Sequence, residues 1–356
     1  MPRTDLLGLR PQRVCLIKPS SLGDIVHALP VLSSLRALWP DAHLAWVVNR
    51  SLRGLLDGHP DLDEVIAFDR SALGLRPDGI ASVSRFLVDL RRRQFDLTID
   101  LQGLLRSGIM ALATGAPIRV GLADAREGSR YFYTHRVASP GSESHAVDRL
   151  LAVAGVFGAE TMPPKFRVAV GPDDEAWADS TLASVPSPRL AVNVGARWLT
   201  KRWPPGHFAE VARRAVRERG AGLVLVGSPE DRSLVDELKA GLGTVDALDL
   251  CGLTSLPRLA AIASKVEVFL SNDTGPLHLA AATGSKVLGV YTCTSPERTG
   301  PHGPAARSVR SCVWCAPSYV KTCPRLECMA ELTPARVWMA LVERLDADLG
   351  VPVIPR

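Results

Sequence analysis

Short apolar runs alternate with longer amphipathic stretches along this chain. An apolar run of about four to eight residues is typical of a buried strand, whereas apolar residues three or four apart indicate one face of a helix. The runs predict strands at 14–17, 43–48, 64–68, 97–103, 190–196, 222–228, 247–252, 266–273 and 286–292. The amphipathic stretches predict helices at 25–39, 80–93, 175–182, 206–219, 230–241, 256–264 and 276–283. This alternation favours parallel sheets with right-handed crossovers.

The 356 residues are too many for one ordinary core and fit two domains. The fold class is therefore α/β, with two doubly wound Rossmann-like domains that face each other across a cleft at the carboxyl ends of their strands. Pro30 either kinks the first helix or stands near its start. A last helix begins at Thr333-Pro334, and the sequence leaves open which of the two domains it packs on. We expect a flexible N-terminus at 1–12, an N-terminal Rossmann-like domain at 13–165, a linker region at 166–188, a C-terminal Rossmann-like domain at 189–332, and a C-terminal helix and tail at 333–356.

Composition narrows the class of protein. Hydrophobic residues make up 46% and the net charge is only +5, without a dense basic block, so a general nucleic-acid binder is not expected. The basic run at 91–93 is either a solvated helix face or a contact for an anionic acceptor or an acidic membrane surface. No secretory signal pattern and no run of about 18 apolar residues is present. We expect a cytoplasmic protein, with peripheral contact with the inner face of the membrane left open.

The segment SNDTGPLHLAAATGS (271–285) carries the strongest chemical signal. A predicted strand ends, polar residues follow, and a helix of small residues begins at Gly275, where free N–H groups and the helix dipole favour an anion such as a diphosphate. Asp273 orients this turn or caps the helix, Thr274 adds a hydroxyl, and His278 lies one turn further along. The alternative is an ordinary strand-to-helix turn with a capping Asp and a surface His.

Two further segments follow the first strand of each predicted domain. In GARWLTKRWPPGHF (195–208), Lys201 is placed to meet a phosphate as a point charge, unless it is simply solvated. In KPSSLGDIVHALP (18–30), Asp24 stands near a helix start, where a carboxylate is usually a cap, but where it would also project into the cleft as a base. This turn lacks GxGxxG, which argues against a nicotinamide-dependent dehydrogenase.

These three segments together resemble glycosyltransferase family 9, the ADP-heptose:lipopolysaccharide heptosyltransferases. The resemblance includes IDLQGLLRSG (99–108), ADAREGSRYFYTHRV (123–137) and HAVDR (145–149), and it extends over most of residues 13–304. It implies a GT-B fold and an inverting transfer of a sugar, heptose in particular, from an ADP-sugar to a hydroxyl of a lipopolysaccharide-core or related glycan, with no cofactor or metal required for catalysis.

The resemblance also implies roles for individual residues. Asp24 matches the proposed general base, which suits the role if the closed cleft raises its pKa towards working pH. Lys201 matches a position that offsets charge on the departing ADP. The donor positions implied are Ser20, Ser21, Glu230, Asp273, Thr274, Gly275, Leu277 and His278, and the acceptor positions are Lys18, Gln102, Arg106, Arg126 and His145.

The segment CVWCAPSYVKTCPRLEC (312–328) lies outside the core of this resemblance. Its cysteines, Cys312, Cys315, Cys323 and Cys328, form a structural zinc or iron site, two disulfides, or a set of free thiols. Cys15, Cys251 and Cys293 lie in or beside apolar strands and are expected to be buried small hydrophobes.

Two other functions remain open at this point. A nucleotide-sugar epimerase or hydrolase on the same scaffold requires additional acid and base carboxylates and no acceptor-binding wall. A non-catalytic nucleotide-sugar-binding protein keeps the turn at 273–278 but makes Asp24 dispensable.

Overall fold

The computed structural model of the chain describes residues 5–69 and 77–346, apart from the side chains of Pro77 and Asp78. The chain divides into two compact units after Ala169, and each unit is an α/β sandwich with its own core. Residues 1–4 of the N-terminal segment expected to be flexible, and the whole tail after 346, lie outside the described residues.

Within its described residues, the first unit contains a six-stranded parallel sheet with the order β3-β2-β1-β4-β5-β6. The central strands are apolar and buried along almost their whole length, as expected where helices cover both faces of a parallel sheet. The strands are β1 (Arg13–Ile17), β2 (His43–Asn49), β3 (Glu64–Phe68), β4 (Leu97–Asp100), β5 (Ile118–Leu122) and β6 (His135–Val137).

The helices of this unit connect the strands and cover the sheet. They are α1 (Leu22–Leu38), α2 (Pro77–Arg92), α3 (Leu105–Ala113) and α4 (Ala146–Gly155). Pro30 lies inside α1 and is buried, so the helix continues through it and does not begin there.

The second unit repeats this design. Over its described part, a six-stranded parallel sheet has the order β12-β11-β10-β7-β8-β9, which matches the first sheet when the strands of each unit are numbered separately. The strands are β7 (Arg189–Asn193), β8 (Gly222–Val226), β9 (Leu248–Asp249), β10 (Val268–Asn272), β11 (Lys286–Tyr291) and β12 (Ala306–Arg310). The helices are α5 (Pro172–Leu182), α6 (Pro205–Arg219), α7 (Arg232–Leu242), α8 (Leu256–Ser264), α9 (Gly275–Ala282), α10 (Pro296–Thr299), α11 (Glu327–Glu331) and α12 (Pro334–Asp346).

The two ends of the second unit pack on its own core. Helix α5, at the end of the expected linker region, packs against α8. Helix α12 packs against α6, and its buried side chains join the core cluster that contains Trp203. The indole of Trp203 is fully buried, and its Nε1 donates to the Leu332 carbonyl at 2.7 Å. Among the described helices, none has the length and apolar character that crossing a bilayer requires.

The alternation of strand and helix predicted from the sequence is confirmed, with shorter strands than expected. Strands β5, β6 and β12 were not predicted. The last two are three and five residues long, form sheet edges and carry polar residues, so they lack the apolar run that marks a central strand.

Candidate active site

The strand order of each sheet reverses between two central strands, β1 and β4 in the first unit and β7 and β10 in the second. Ligands of open α/β sheets bind outside the carboxyl ends of the strands at such a point. The predicted segments at 18–24 and 101–106 follow β1 and β4, and those at 194–203 and 273–278 follow β7 and β10. The predicted site residues therefore lie at the edge where these sheets bind ligands.

Asp24 lies in the first turn of α1 and accepts hydrogen bonds from Ser21, the N-cap residue of this helix. The backbone N–H and the Oγ hydroxyl of Ser21 both donate to Oδ2 of Asp24, at 2.9 and 2.6 Å. This exchange satisfies one of the free N–H groups at the start of α1 and fixes the rotamer of the carboxylate. The capping role and the predicted role as a base are thus compatible, because both bonds fall on one oxygen.

A raised pKa was the condition under which Asp24 would suit the role of a base, and in this structure its pKa is lowered. Burial raises the pKa of this carboxyl group, but the Lys18 ammonium and the two hydrogen bonds from Ser21 outweigh burial and lower it below its ordinary value. His27 adds a smaller lowering effect. Asp24 is therefore ionised at neutral pH and ready to accept a proton.

Lys18 is buried beneath the site, 6% exposed, and does not line an open wall. Its Nζ donates to the Leu101 carbonyl at 3.0 Å, and its own carbonyl accepts from the Trp46 indole at 3.2 Å. The ammonium therefore joins the loop after β1 to the loop after β4. Lys18, predicted to bind acceptor, instead has its charge directed at Asp24 and at the backbone of the neighbouring loop.

Asp100 organises the loop after β4, a role that the sequence did not reveal. Its Oδ1 accepts from the backbone N–H groups of Gln102 and Gly103, at 2.8 and 3.1 Å, and its Oδ2 accepts from the Tyr133 hydroxyl at 2.6 Å. The carboxylate is fully buried, and burial raises its pKa above the ordinary value against the effect of these donors. The signal in the sequence was a polar residue at the end of an apolar strand.

The predicted acceptor residues follow this loop. The Arg126 N–H donates to the Gly103 carbonyl at 2.9 Å, which ties the segment after β5 to the Gln102 loop. Arg106 and Arg126 are both exposed, whereas Gln102 is half-buried. The structure thus presents two cationic side chains beside an ordered polar loop.

His145 lies at the start of α4, where its Nδ1 accepts from the Val147 N–H at 3.2 Å. Its ring packs edge-on against His27 of α1, with 5.4 Å between the centroids. His145 is therefore a helix cap that packs on the helix bearing Asp24, and Ser20 is part of the half-buried turn between β1 and α1.

In the second unit, Asp273 is the centre of a compact polar cluster. Its Oδ2 accepts from Lys201 Nζ at 2.5 Å and from the Thr294 hydroxyl at 2.6 Å, and its Oδ1 lies 3.5 Å from His278 Nε2. Asp273 is 4% exposed, and although burial alone raises its pKa, His278 and Lys201 lower it well below the usual range. Thr294 had no signal in the sequence, because it follows a different strand.

The turn after β10 differs from the ordinary alternative considered above. Thr274 is the N-cap residue of α9, Gly275 is its first residue, and Asp273 binds Lys201 and does not cap the helix. His278 is buried, 6% exposed, and is not a surface residue. The arrangement leaves the N-terminus of α9 beside a lysine, where backbone N–H groups and a positive charge favour an anion.

Two residues predicted to contact the donor, Leu277 and Glu230, have surroundings unlike those of Asp273. Leu277 is fully buried and packs against the strand after α9, close to Gly289, so its side chain is not placed to touch a ligand. Glu230 is exposed in the turn after β8, where its own N–H and the Ser228 hydroxyl lower its pKa.

Buried amides hold the two loops of this cluster in place. Asn272 Nδ2 donates to the Val194 carbonyl at 2.8 Å, and its Oδ1 accepts from the Trp203 N–H at 3.1 Å. Asn272 therefore fixes the Lys201 loop against the Asp273 turn. In the sequence it was only one residue of a polar run.

The metal expected at 312–328 finds no support. Cys312 is exposed and contacts Arg336, whereas Cys315, Cys323 and Cys328 line a small cavity together with Cys293. Within the described ranges, no three His, Cys, Asp or Glu residues are grouped so that they could hold a metal ion. No disulfide joins the cysteines of this segment, and the prediction that Cys15, Cys251 and Cys293 are buried is confirmed.

A family model and several known proteins match the sequence of this chain. The family model described as glycosyltransferase family 9 (heptosyltransferase) matches residues 83–329. The chain is 32% identical to lipopolysaccharide heptosyltransferase 1 of Pseudomonas aeruginosa over 317 residues. The aligned region covers 87% of each chain. It is 29% identical to the lipopolysaccharide core heptosyltransferase OpsX of Haemophilus influenzae over 295 residues. That aligned region covers 82% of each chain.

A solved structure shows the same fold. The Escherichia coli ADP-heptose lipopolysaccharide heptosyltransferase II superimposes with a TM-score of 0.77 at 24% identity, over 95% of this chain and all of that one. The same family is indicated by the strand order, by the polar loops at the carboxyl ends of the strands, and by the sequence match. The chain is a glycosyltransferase and belongs to glycosyltransferase family 9, the heptosyltransferase family.

Proposed function

We propose that this enzyme transfers a heptose from ADP-heptose to a hydroxyl group of a lipopolysaccharide-core acceptor, with inversion at the anomeric carbon and with Asp24 as the general base. The observation that carries the proposal is the carboxylate of Asp24, which two hydrogen bonds from Ser21 fix beyond the carboxyl end of β1. The substrates are those in the names of the relatives to which the chain is similar.

The base step uses the oxygen of Asp24 that Ser21 does not bind. The acceptor hydroxyl gives its proton to Oδ1 as its oxygen forms a bond to the anomeric carbon, and the bond from that carbon to the diphosphate breaks. A single displacement on the face opposite the leaving group inverts the configuration. The low pKa keeps the base ionised but makes it a weak one, so proton transfer accompanies bond formation instead of preceding it.

The leaving group is stabilised by the cluster around Asp273. Negative charge grows on the diphosphate as ADP departs, and Lys201 and the N–H groups at the start of α9 offset it. The oxygens of Asp273 are engaged by Lys201, Thr294 and His278, so this carboxylate is not placed to act as a metal ligand. We therefore propose a transfer that does not require a metal ion.

The acceptor is held by the loops after β4 and β5. Arg106 and Arg126 are exposed cations next to the loop that Asp100 orders, and they suit an acceptor that carries phosphate or carboxylate groups. A lipid-linked acceptor places the enzyme at a membrane surface, so we propose peripheral contact with the inner face of the cytoplasmic membrane.

The test is the variant Asp24→Asn, compared with Asp148→Asn, an exposed acid in the first turn of α4. We expect Asp24→Asn to bind ADP as the parent enzyme does and to lose about 10²-fold or more in kcat, because a positioned base contributes about that much. The loss of a helix cap alone costs about 1 kcal/mol of unfolding free energy and does not by itself remove turnover. Unchanged kcat for Asp24→Asn, measured as ADP release in the presence of acceptor, would remove this residue from the mechanism.

A further inference from the structure

One half-buried indole ring in the second unit contacts two lysine side chains. Lys201 Nζ lies 4.8 Å from the centroid of the Trp198 ring, and Lys321 Nζ lies 5.6 Å from the same centroid. Both distances are within the range at which an aromatic ring attracts a cation. The two ammonium groups are therefore no more than about 10 Å apart. Lys321 belongs to the segment 312–328, outside the core of the family resemblance, so the resemblance implies no role for it.

A hydrogen bond joins the residues that immediately precede these two lysines. Thr200, next to Lys201, is 2% exposed, and its Oγ1 donates to the Val320 carbonyl at 2.5 Å. Val320 is the residue before Lys321. The backbone at Lys321 is therefore held beside the loop that carries Lys201, and the closeness of the two ammonium groups is a property of the fold.

The same segment is also anchored on the loop that follows β11. The backbone N–H of Tyr319 donates to the Cys293 carbonyl at 2.9 Å. The next residue of that loop, Thr294, donates its hydroxyl to Asp273 at 2.6 Å. The residues just before Lys321 thus contact two of the loops that form the polar cluster around Asp273.

The two lysines differ in how their charges are compensated. Lys201 forms an ion pair with Asp273, with 2.5 Å between Nζ and Oδ2, so its positive charge is largely offset before a ligand binds. Lys321 is exposed, and no carboxylate in the part of the chain that the structure describes pairs with it. An anion that approaches Lys201 therefore meets, in Lys321, a second ammonium group whose charge is not offset by an acid.

The chemistry of the two side chains favours a ligand with more than one anionic group. Two ammonium groups at this separation repel each other, and salt screens them only in part, because the Debye length is about 8 Å at physiological ionic strength. A ligand that carries two adjacent phosphates can contact both groups and offset this repulsion. Lysine suits such a ligand, because its flexible stem brings a compact point charge to a phosphate oxygen.

We propose that Lys321 is a second lysine that binds the diphosphate of the donor, together with Lys201. This inference rests on the proposed function, in which the donor is an ADP-sugar. The segment 312–328 is then part of the donor site, and its contacts with Thr200 and with the loop after β11 serve to present Lys321.

The experiment measures the binding of ADP and of inorganic pyrophosphate to the full-length enzyme by calorimetry. We expect Lys321→Gln to raise the Kd for ADP about tenfold, because a hydrogen bond between charged groups contributes about that factor. The Kd for pyrophosphate should rise as well. Lys321→Arg retains the charge and should bind both ligands much as the parent enzyme does.

Two controls separate a contact with the diphosphate from other effects. Arg325→Gln removes one positive charge from the same segment, but Arg325 is exposed and lies 3.6 Å from the Glu327 carboxylate, so ADP affinity should not change. The second control is ionic strength. The Kd of the parent enzyme for ADP should rise between about 0.01 M and 0.15 M salt, and that of Lys321→Gln should rise less, because one screened charge is missing. A purely structural effect of the substitution would not alter this salt dependence.

Three results would overturn the role of Lys321. One is an unchanged Kd for ADP in Lys321→Gln, another is an equal rise in Arg325→Gln, and the third is a loss of affinity that Lys321→Arg does not restore. In each of these cases the parent enzyme binds ADP, so the proposed donor is retained and only the second lysine is wrong. A parent enzyme that binds neither ADP nor pyrophosphate would contradict the proposed function itself.

Discussion

The proposed role of Asp24 requires one carboxylate both to bind the N-cap residue of a helix and to accept a proton. The structure separates the two tasks by oxygen, because both bonds from Ser21 reach Oδ2. The ammonium group of Lys18 is buried, and its positive charge lowers the pKa of Asp24. At the residue scale, the lowered pKa makes Asp24 a weaker base but keeps its carboxylate charged at neutral pH.

The pH dependence of kcat/KM tests this assignment. Because the pKa of Asp24 is lowered, the parent enzyme should show no loss of activity from this group as the pH falls from neutral towards the ordinary Asp value of 3.8. Lys18→Met removes the charge that opposes burial, so the acid limb of the profile should move to higher pH. Lys18→Arg retains the charge and serves as the matched variant. An acid limb at the same pH in Lys18→Met and Lys18→Arg would contradict the role of this ammonium.

At the scale of elements, a buried carboxylate at the end of a strand holds the loop that follows the strand in place. Asp100, at the end of β4, binds two N–H groups of the loop that follows it and the hydroxyl of Tyr133. Tyr133 in turn packs over β5, where a Cβ atom at Gly121 would come within 2.4 Å of its ring. A glycine in a strand thus marks a close approach of an aromatic ring and has a packing role.

The variant Gly121→Ala should displace Tyr133 and leave Asp100 buried without one of its donors. We expect a loss of about 1–3 kcal/mol of unfolding free energy from overpacking, and a larger rise in the acceptor KM than fall in kcat. Gly155→Ala, at the end of α4 where nothing lies within 4 Å of the added Cβ, is the control and should be neutral or stabilising by up to about 1 kcal/mol. Urea unfolding measures both, and equal stabilities of the two variants would show that Tyr133 moves aside without cost.

Helix α12 offers a test of packing in the second unit. Leu341 is fully buried in its core, whereas Met339 on the same helix is 48% exposed. We expect Leu341→Ala to lower the unfolding free energy by about 2–5 kcal/mol, and Met339→Ala to change it by about 0.5 kcal/mol or less. Similar effects in denaturant unfolding would mean that α12 does not contribute to this core.

At the scale of the molecule, the two units share one strand order. Each has six parallel strands in the same order over its described residues, and each carries its polar loops at the reversal of that order. The loops differ in chemistry. The first unit presents a carboxylate and two exposed arginines, while the second presents the Lys201–Asp273 pair beside a helix N-terminus.

Hydrogen exchange with mass spectrometry can locate the two ligands. ADP should slow exchange in peptides that contain 194–203 and 273–279, and an anionic acceptor sugar should slow exchange at 18–24 and 101–106. Binding stabilises a native state according to affinity, so UDP and GDP at the same concentration serve as controls for the adenine preference. Protection by ADP that is confined to 18–24 would reverse the assignment of donor and acceptor units.

Local sequence pattern predicted the α/β class, most strands and helices, and the polar segments that follow the carboxyl ends of strands. These are properties of local periodicity and of residue order: buried parallel strands are short apolar runs, and the polar loops at 18–24, 194–203 and 271–278 directly follow such runs. The short edge strand β12 carried no such signal and was missed.

Only the tertiary structure decided which distant residues meet. Thr294 joins Asp273 from another strand, Tyr133 reaches Asp100 across the sheet, and Cys293 lines one cavity with Cys315, Cys323 and Cys328. The pKa of Asp24 depended on the position of the Lys18 ammonium, a buried charge whose direction the residue order does not contain. Contacts between side chains far apart along the chain, and the burial that sets their charge, arise from the packing of strands and helices, so local pattern cannot supply them.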